Sequence, residues 1–264
     1  MTVTSKDNQW VKEWRRLNDS AKYRRDSGLF AIEGARLCSD ALRSEVEIQT
    51  VLYTASALAI YGDVVESLVA VAQNAVEISP ELSRYMGDTM NPQGVFCCAK
   101  MLDNSLIIDK INIIGIYNAL EDIQDPGNLG TIIRTAEAFG LSGLLLSDGC
   151  CDPYNPKVLR SSMGGVFRLP ILRGGSMSEM IPLLRERGLS VYACVVDGDA
   201  TPITSVSMGA GSVAVIGNEG AGLKPETVSA CTERITIPMT GRAESLNASM
   251  AAGIILWEMT RPKD

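Results

Sequence analysis

Histidine is absent from all 264 residues. That single absence removes Ser-His-Asp and Cys-His nucleophilic chemistry, His-ligated metals and an imidazole general base together. Cysteine is present but poorly arranged for cross-linking. The seven residues are odd in number, include two adjacent pairs (Cys97-Cys98 and Cys150-Cys151) and form no Cys-x-x-Cys. This fits reduced, buried thiols in a cytosolic protein better than a disulfide framework or a zinc site, so no metal is expected. Long apolar runs are also missing. The longest uncharged stretch, residues 200–218, is interrupted by Pro202 and dotted with Ser, Thr and Gly, so no membrane span is expected. Lys6 and Asp7 fall where a signal peptide would begin its apolar core, so no targeting segment and a cytoplasmic location are expected.

What is present is ordinary for a globular protein: 46% apolar and 21% charged residues, in a chain long enough for one large domain or two small ones. The net charge of −7 argues weakly against a nucleic-acid partner, yet it is unevenly placed. Residues 1–36 hold eight basic side chains against five acidic ones, a local +3 that leaves −10 on the remainder. A basic N-terminal region on an acidic body is compatible with local binding of a polyanion, and equally with a solvated helix face.

Along the first hundred residues, Trp10, Val11, Trp14 and Leu17 give residues 8–17 a helical apolar period, and short apolar runs then alternate with helical stretches. This is an α/β unit with its own core, and the polar stretch near 101–110 marks a boundary. Domains at 1–103 and 104–264 follow. The second half alternates more strongly. Residues 111–117, 144–146, 191–196 and 213–216 are almost wholly apolar, as expected of strands buried on both faces, and helical stretches separate them. A parallel sheet covered on both sides is the expected fold.

Three stretches of this half stand out. Asp125-Pro126-Gly127-Asn128 reads as a turn and helix cap at the end of a buried strand, where open α/β sheets place their ligands. Arg134 follows on that helix among apolar neighbours. Gly217-Asn218-Glu219-Gly220-Ala221-Gly222-Leu223 follows another strand with glycines that permit close backbone approach. It is neither a Walker loop nor a dinucleotide fingerprint. The third, Ile237-Pro238-Met239 leading to Ser245-Leu246-Asn247-Ala248-Ser249, reads as a strand over 234–239, a polar loop, and a last helix capped by Ser245 or Asn247. Leu246, Met250, Ile254 and Trp257 recur on it at helical spacing among small residues.

Taken in order, these stretches resemble the three motifs of the SpoU/TrmH family, S-adenosylmethionine-dependent RNA ribose 2′-O-methyltransferases of the SPOUT class. Residues 155–164 resemble the helix between its motifs. Glu33-Gly34-Ala35-Arg36 and Pro92-Gln93-Gly94 sit where its small N-terminal α/β RNA-binding domain has them. The resemblance implies a C-terminal trefoil-knotted parallel-sheet methyltransferase domain and a homodimer. It implies S-adenosylmethionine held by backbone around Gly217, Ile237 and Leu246, and a polar site of Asn128, Arg134, Glu219, Ser245 and Asn247. Arg134 would face the cofactor of the other subunit. The RNA would meet Arg15, Arg16, Arg24, Arg25 and Arg36.

The implied reaction is attack of a ribose 2′-oxygen on a sulfonium methyl, without a metal. Guanidinium stays protonated in proteins, so Arg134 suits a clamp on phosphate and developing negative charge better than a base. Glu219 is a candidate base, or equally a residue that orients Arg134 or Asn128. Ribosomal RNA of the large subunit is the expected substrate. Transfer RNA and a non-catalytic RNA-binding or assembly role are the alternatives.

Overall fold

The computed structural model describes residues 2–262. In chain order the first elements are α1 (Gln9–Asp19), α2 (Ala21–Ser27), β1 (Leu29–Glu33), α3 (Ala35–Arg43) and β2 (Ile48–Tyr53). They are followed by α4 (Ala55–Ile60), α5 (Gly62–Val71), β3 (Asn74–Glu77), α6 (Pro80–Met86) and β4 (Val95–Lys100). The second half continues with β5 (Ile116–Leu120), α7 (Pro126–Ala138), β6 (Gly143–Leu146), α8 (Pro156–Ser162), α9 (Gly165–Arg168) and β7 (Ile171–Arg173). Then come α10 (Met177–Glu186), β8 (Ser190–Cys194), β9 (Thr201–Pro202), β10 (Ser212–Ile216), α11 (Pro225–Ala230), β11 (Glu233–Thr236) and α12 (Ala248–Thr260).

The chain divides into two compact units. One takes the residues up to Asp103 together with Tyr154–Phe167, and the other takes Asn104–Pro153 and the residues from Arg168 onward. The segment carrying α8, placed in the second half by the sequence reading, therefore packs with the first unit. Aromatic contacts show why: Phe30 of β1 lies 4.5 Å from Tyr154 and 6.1 Å from Phe167, ring centre to ring centre.

The first unit is built on a four-stranded sheet in the order β1-β4-β2-β3, mixed in direction. Its core joins Val11, Trp14 and Leu17 of α1 to Leu52, Leu82, Met86 and Phe96, with Trp14 edge-on to Phe96 at 5.1 Å. The expected helix 8–17 is α1, capped by the Asn8 side chain, which accepts from Trp10 N at 3.0 Å. Ser20, in extended conformation, ends α1 and caps α2, which Gly28 then closes in the left-handed region at φ +69°.

The second unit carries a seven-stranded sheet in the order β7-β6-β5-β10-β8-β11-β9, in which every pairing is parallel. One face packs Tyr117, Leu145, Val191, Val213 and Val215 against Met177, Met180, Ile181 and Leu184 of α10. The near-continuous apolar strands of the sequence are thus buried on both faces, as a parallel sheet requires. On the other face α12 packs along α7 and against β10 and β5. The expected strand over 234–239 ends at Thr236, just before Pro238, which has no N–H to extend a ladder. The final helix begins at Ala248 with Asn247 as its cap, and Ser245 lies outside it.

Candidate active site

Neighbouring strands β5 and β10 pair in parallel with Leu120 opposite Ile216, so the loops leaving their carboxyl ends start side by side. The chain runs outward from β5 to β6 and β7 on one side and to the later strands on the other. This is the reversal point where open parallel sheets form a crevice. The first two stretches of the sequence leave from these two strand ends, and the third returns to the same place through the start of α12.

At this edge Asn128, Glu219 and Asn247 form one hydrogen-bonded chain. Asn128 donates from Nδ2 to Glu219 Oε1 at 3.0 Å, and its Oδ1 accepts from Asn247 Nδ2 at 3.0 Å. Each member is fixed from behind. Asp125 caps α7 by accepting from Asn128 N at 2.8 Å, and Asn247 Oδ1 accepts from Ser249 N and Met250 N at 2.9 and 3.3 Å. Glu219 further accepts from Gln124 N at 3.2 Å and Asp125 N at 3.1 Å. Burial pushes the Glu219 carboxyl up, but the Asn128 amide and these backbone N–H groups outweigh it and hold the group below the usual carboxylate range. Glu219 is therefore an ionised acceptor whose lone pairs are already engaged.

Residues 217–222 form a tight turn in which Asn218 N donates to Gly222 O at 3.1 Å and Gly222 N returns the bond at 2.9 Å. Gly217 allows it: a Cβ there would stand 2.2 Å from the Gly222 carbonyl carbon and 2.4 Å from Leu223 N. This turn walls a cleft of about 480 Å³ whose other sides are Val195, Val196, Ile216, Glu244, Ser245 and Leu246. Leu246 also belongs to a smaller apolar recess of about 80 Å³, with Ile235, Ile237, Met239 and Ile255. Gly217 and Ser245 thus line the cleft, Ile237 lines the recess, and Leu246 belongs to both.

Arg134 is not brought into this cluster. It lies six residues beyond Asn128 on α7, about 240° around the helix, and is solvent-exposed. Its side chain has no hydrogen bond or ion pair among the described residues. Arg36 and Arg25 are likewise exposed, Arg16 lies over the Tyr23 ring, and Arg15 pairs with Asp19 at 3.0 Å. Arg24 requires a correction as an RNA-facing residue. It is 2% exposed, and its Nη1 donates to the carbonyls of Leu17 at 2.6 Å and Asn18 at 3.1 Å. A cation spent on the end of α1 is structural.

Sequence reasoning missed the residues that brace the site. Glu121, buried just past β5, accepts from Thr227 Oγ1 at 2.6 Å and Lys224 N at 2.9 Å. Asp122 adopts a left-handed φ of +55°, pairs with Lys224 Nζ at 2.7 Å and accepts through its carbonyl from Asn218 Nδ2 at 2.8 Å. The Lys224 hydrogen bond lowers the Asp122 carboxyl, reinforced by the Ser147 hydroxyl and opposed by partial burial. The available signal was two acids directly after a buried strand, Glu121-Asp122, where apolar burial gives way to polar work. No cluster of potential metal ligands occurs among the described residues.

Comparison with known proteins places this geometry. Residues 115–257 match the model of the SpoU rRNA methylase family, and residues 8–97 match an MRM3-like substrate binding domain. The chain is 29% identical over 257 residues to the 23S rRNA (guanosine(2553)-2′-O)-methyltransferase RlmP of Bacillus subtilis, covering 97% of this chain and 98% of that one. It is 30% identical over 272 residues to the 23S rRNA (uridine(2479)-2′-O)-methyltransferase of Streptomyces viridochromogenes, covering 99% and 92%. Among solved structures, an AdoMet-bound rRNA methyltransferase from Sinorhizobium meliloti superposes with a TM-score of 0.87 at 33% identity, over 98% of this chain and 97% of that one. A family model matching more than half of the chain, joined to relatives aligned over nearly its whole length, makes this protein a member of the SpoU rRNA methylase family.

Proposed function

We propose that the chain transfers a methyl group from S-adenosylmethionine to a ribose 2′-hydroxyl of large-subunit ribosomal RNA. The observation that carries this reading is the junction of the Asn128–Glu219–Asn247 chain with the cleft at the ends of β5 and β10. The names of the full-length relatives favour ribosomal over transfer RNA. The cleft suits the cofactor in size, since ligand sites run from about 300 to 1,000 Å³. Its apolar walls at Val195, Val196, Ile216 and Leu246 suit an adenosine, and the Glu219 and Glu244 carboxylates at its polar side suit a cationic sulfonium. When bound, the cofactor supplies an electrophilic methyl.

The chain's own residues hold the acceptor in place. Asn128 and Asn247 present fixed amides to the ribose, and ionised Glu219 keeps Asn128 in its orientation. With its lone pairs engaged and its carboxyl depressed, Glu219 is an orienting group rather than the base. Arg134, always charged, clamps the target phosphate and stabilises negative charge growing on the 2′-oxygen; that oxygen gains its O–CH3 bond as the sulfonium S–CH3 bond breaks, and the hydroxyl proton leaves to solvent water.

The enzyme works as a homodimer in the cytoplasm, and Arg134 serves the site of the second subunit. Its exposure away from its own cluster supports this, as does the exposed apolar stripe of Met250 (61% exposed), Ile254 (38%) and Trp257 (54%) on α12. The last segment passes through a trefoil knot. That reading is supported by the return of the chain from β11 across β10 to pack on α7, past the 217–223 turn.

Incubation with methyl-labelled S-adenosylmethionine and unmodified ribosomal RNA tests the reading. Label on a ribose of large-subunit RNA, lost with Arg134→Ala, is expected. Label confined to transfer RNA, or none, overturns it.

A further inference from the structure

The first unit carries a groove that the methyl-transfer reading leaves unused. It lies between α1 and α2, has a volume of about 410 Å³ and is lined by Gln9, Trp10, Lys12, Glu13, Arg16 and Tyr23. Positions 9, 12, 13 and 16 fall on one face of α1, so the polar wall is a single helix surface. Trp10 and Tyr23 are half-buried. Their inner edges rest on the core of the first unit, so the rings are held without being covered. The Arg16 guanidinium sits 5.3 Å from the Tyr23 ring centre, a cation–π pair at the surface. Among the described residues Lys12 pairs only with Asp7, in a solvent-exposed bridge of little net strength.

The groove is also built to keep its shape. Arg24 of α2 donates to the last carbonyls of α1, and Ser20 caps α2 at the elbow, accepting from Tyr23 N at 3.1 Å. The buried Arg24 thereby fixes the angle at which α2 presents Tyr23 to α1. Aromatic rings with cations among them are how proteins take unpaired nucleotides: the base stacks on a ring or an arginine plane, and the cations meet the phosphates. The groove lies within residues 1–36, which carry a local +3 on an acidic chain.

We propose that this groove binds one unpaired RNA nucleotide, its base entering between Trp10 and the stacked Arg16–Tyr23 pair and its phosphates met by Lys12 and Arg16. Gln9 and Glu13 offer donor and acceptor atoms to the base edge. The inference rests on the RNA methyltransferase reading and adds to it: the N-terminal unit takes hold of an exposed base, in addition to whatever it recognises by shape.

The test uses the full chain and two fluorescein-labelled RNA probes, a mixed-sequence single-stranded 12-mer and its blunt duplex, titrated by fluorescence anisotropy. The single strand should bind more tightly than the duplex. Tyr23→Leu should weaken the single strand by roughly tenfold, the scale of one lost stacked base, and leave the duplex nearly unchanged. Arg16→Gln, at an exposed position, should weaken it by a similar factor, with Arg16→Lys in between because charge is kept and the planar group lost. Binding of the single strand should quench tryptophan fluorescence, and Trp10→Phe should remove that quenching. Calorimetric binding of S-adenosylmethionine should be the same in all variants, which separates a groove effect from misfolding. Equal single-strand affinity in wild type and Arg16→Gln, or a wild-type preference for duplex, overturns the proposal. Methylation of ribosomal RNA with these groove effects absent leaves the enzyme reading standing alone. Groove effects without any methyl transfer do the reverse.

Discussion

Gly217→Ala is the sharpest probe of how the cleft is made. The new methyl would stand 2.2 Å from the carbonyl carbon of Gly222, 2.4 Å from its oxygen and 2.4 Å from Leu223 N. These are backbone atoms, so no side-chain rotation relieves the clash. Ordinary contact begins near 3.4 Å, which obliges the turn to retreat by about 1 Å in a close-packed setting. The reciprocal bonds between Asn218 and Gly222, at 3.1 and 2.9 Å, hold the turn against that retreat. Losing both at roughly 1 kcal/mol each costs about 2 kcal/mol, or about 30-fold in the population of the turn that walls the cleft. We expect calorimetry to show S-adenosylmethionine binding about 30-fold weaker. For a unit of this size the same energy lowers the melting temperature by only about 4–8 °C, so the protein stays folded at room temperature. An affinity within threefold of wild type, with the melting temperature unchanged, would refute the steric reasoning, because the Cβ would then have room that the backbone does not show.

Other consequences can be checked as directly. Because the folded Glu219 pKa is depressed, its contribution to stability is full above the ordinary carboxylate pKa and is lost as pH falls through the folded value. The methylation rate should therefore show no acid limb between pH 6 and 7 from this group. Glu219→Gln should lower kcat by roughly 10- to 100-fold without moving the pH profile, and an acid limb near 6.5 abolished by this substitution would restore Glu219 as base. Arg24→Met should unfold at lower denaturant by about 2–4 kcal/mol, since it strips the Leu17 and Asn18 carbonyls of a charged donor; Arg25→Met should not. A wild-type melting curve for Arg24→Met contradicts its structural role. Trp257→Lys places a charge in the exposed stripe of α12 and should shift sedimentation from dimer to monomer with loss of activity; an unchanged dimer assigns the interface elsewhere.

The sequence determined the parallel sheet of the second half, because strands buried on both faces must be apolar throughout, and its strands at 144–146 and 213–216 show that composition. The start of α7 was legible to within Asp125-Pro126-Gly127-Asn128 and that of α12 to Ser245 or Asn247, since a cap is a local bond between a side chain and N–H groups two or three residues ahead; the structure selects Asp125 and Asn247. Three facts belonged to tertiary structure alone. Periodicity gave Leu246, Met250, Ile254 and Trp257 a common helix face, but whether that face is buried depends on what packs against it, and within one chain it is exposed. Arg24 and Arg25 are indistinguishable neighbours in the sequence; one helix turn's geometry puts the first under the end of α1 and the second in solvent. Finally, Asn128, Glu219 and Asn247 are separated by up to 119 residues, and only the parallel register of β5 on β10 sets their loops close enough for direct hydrogen bonds.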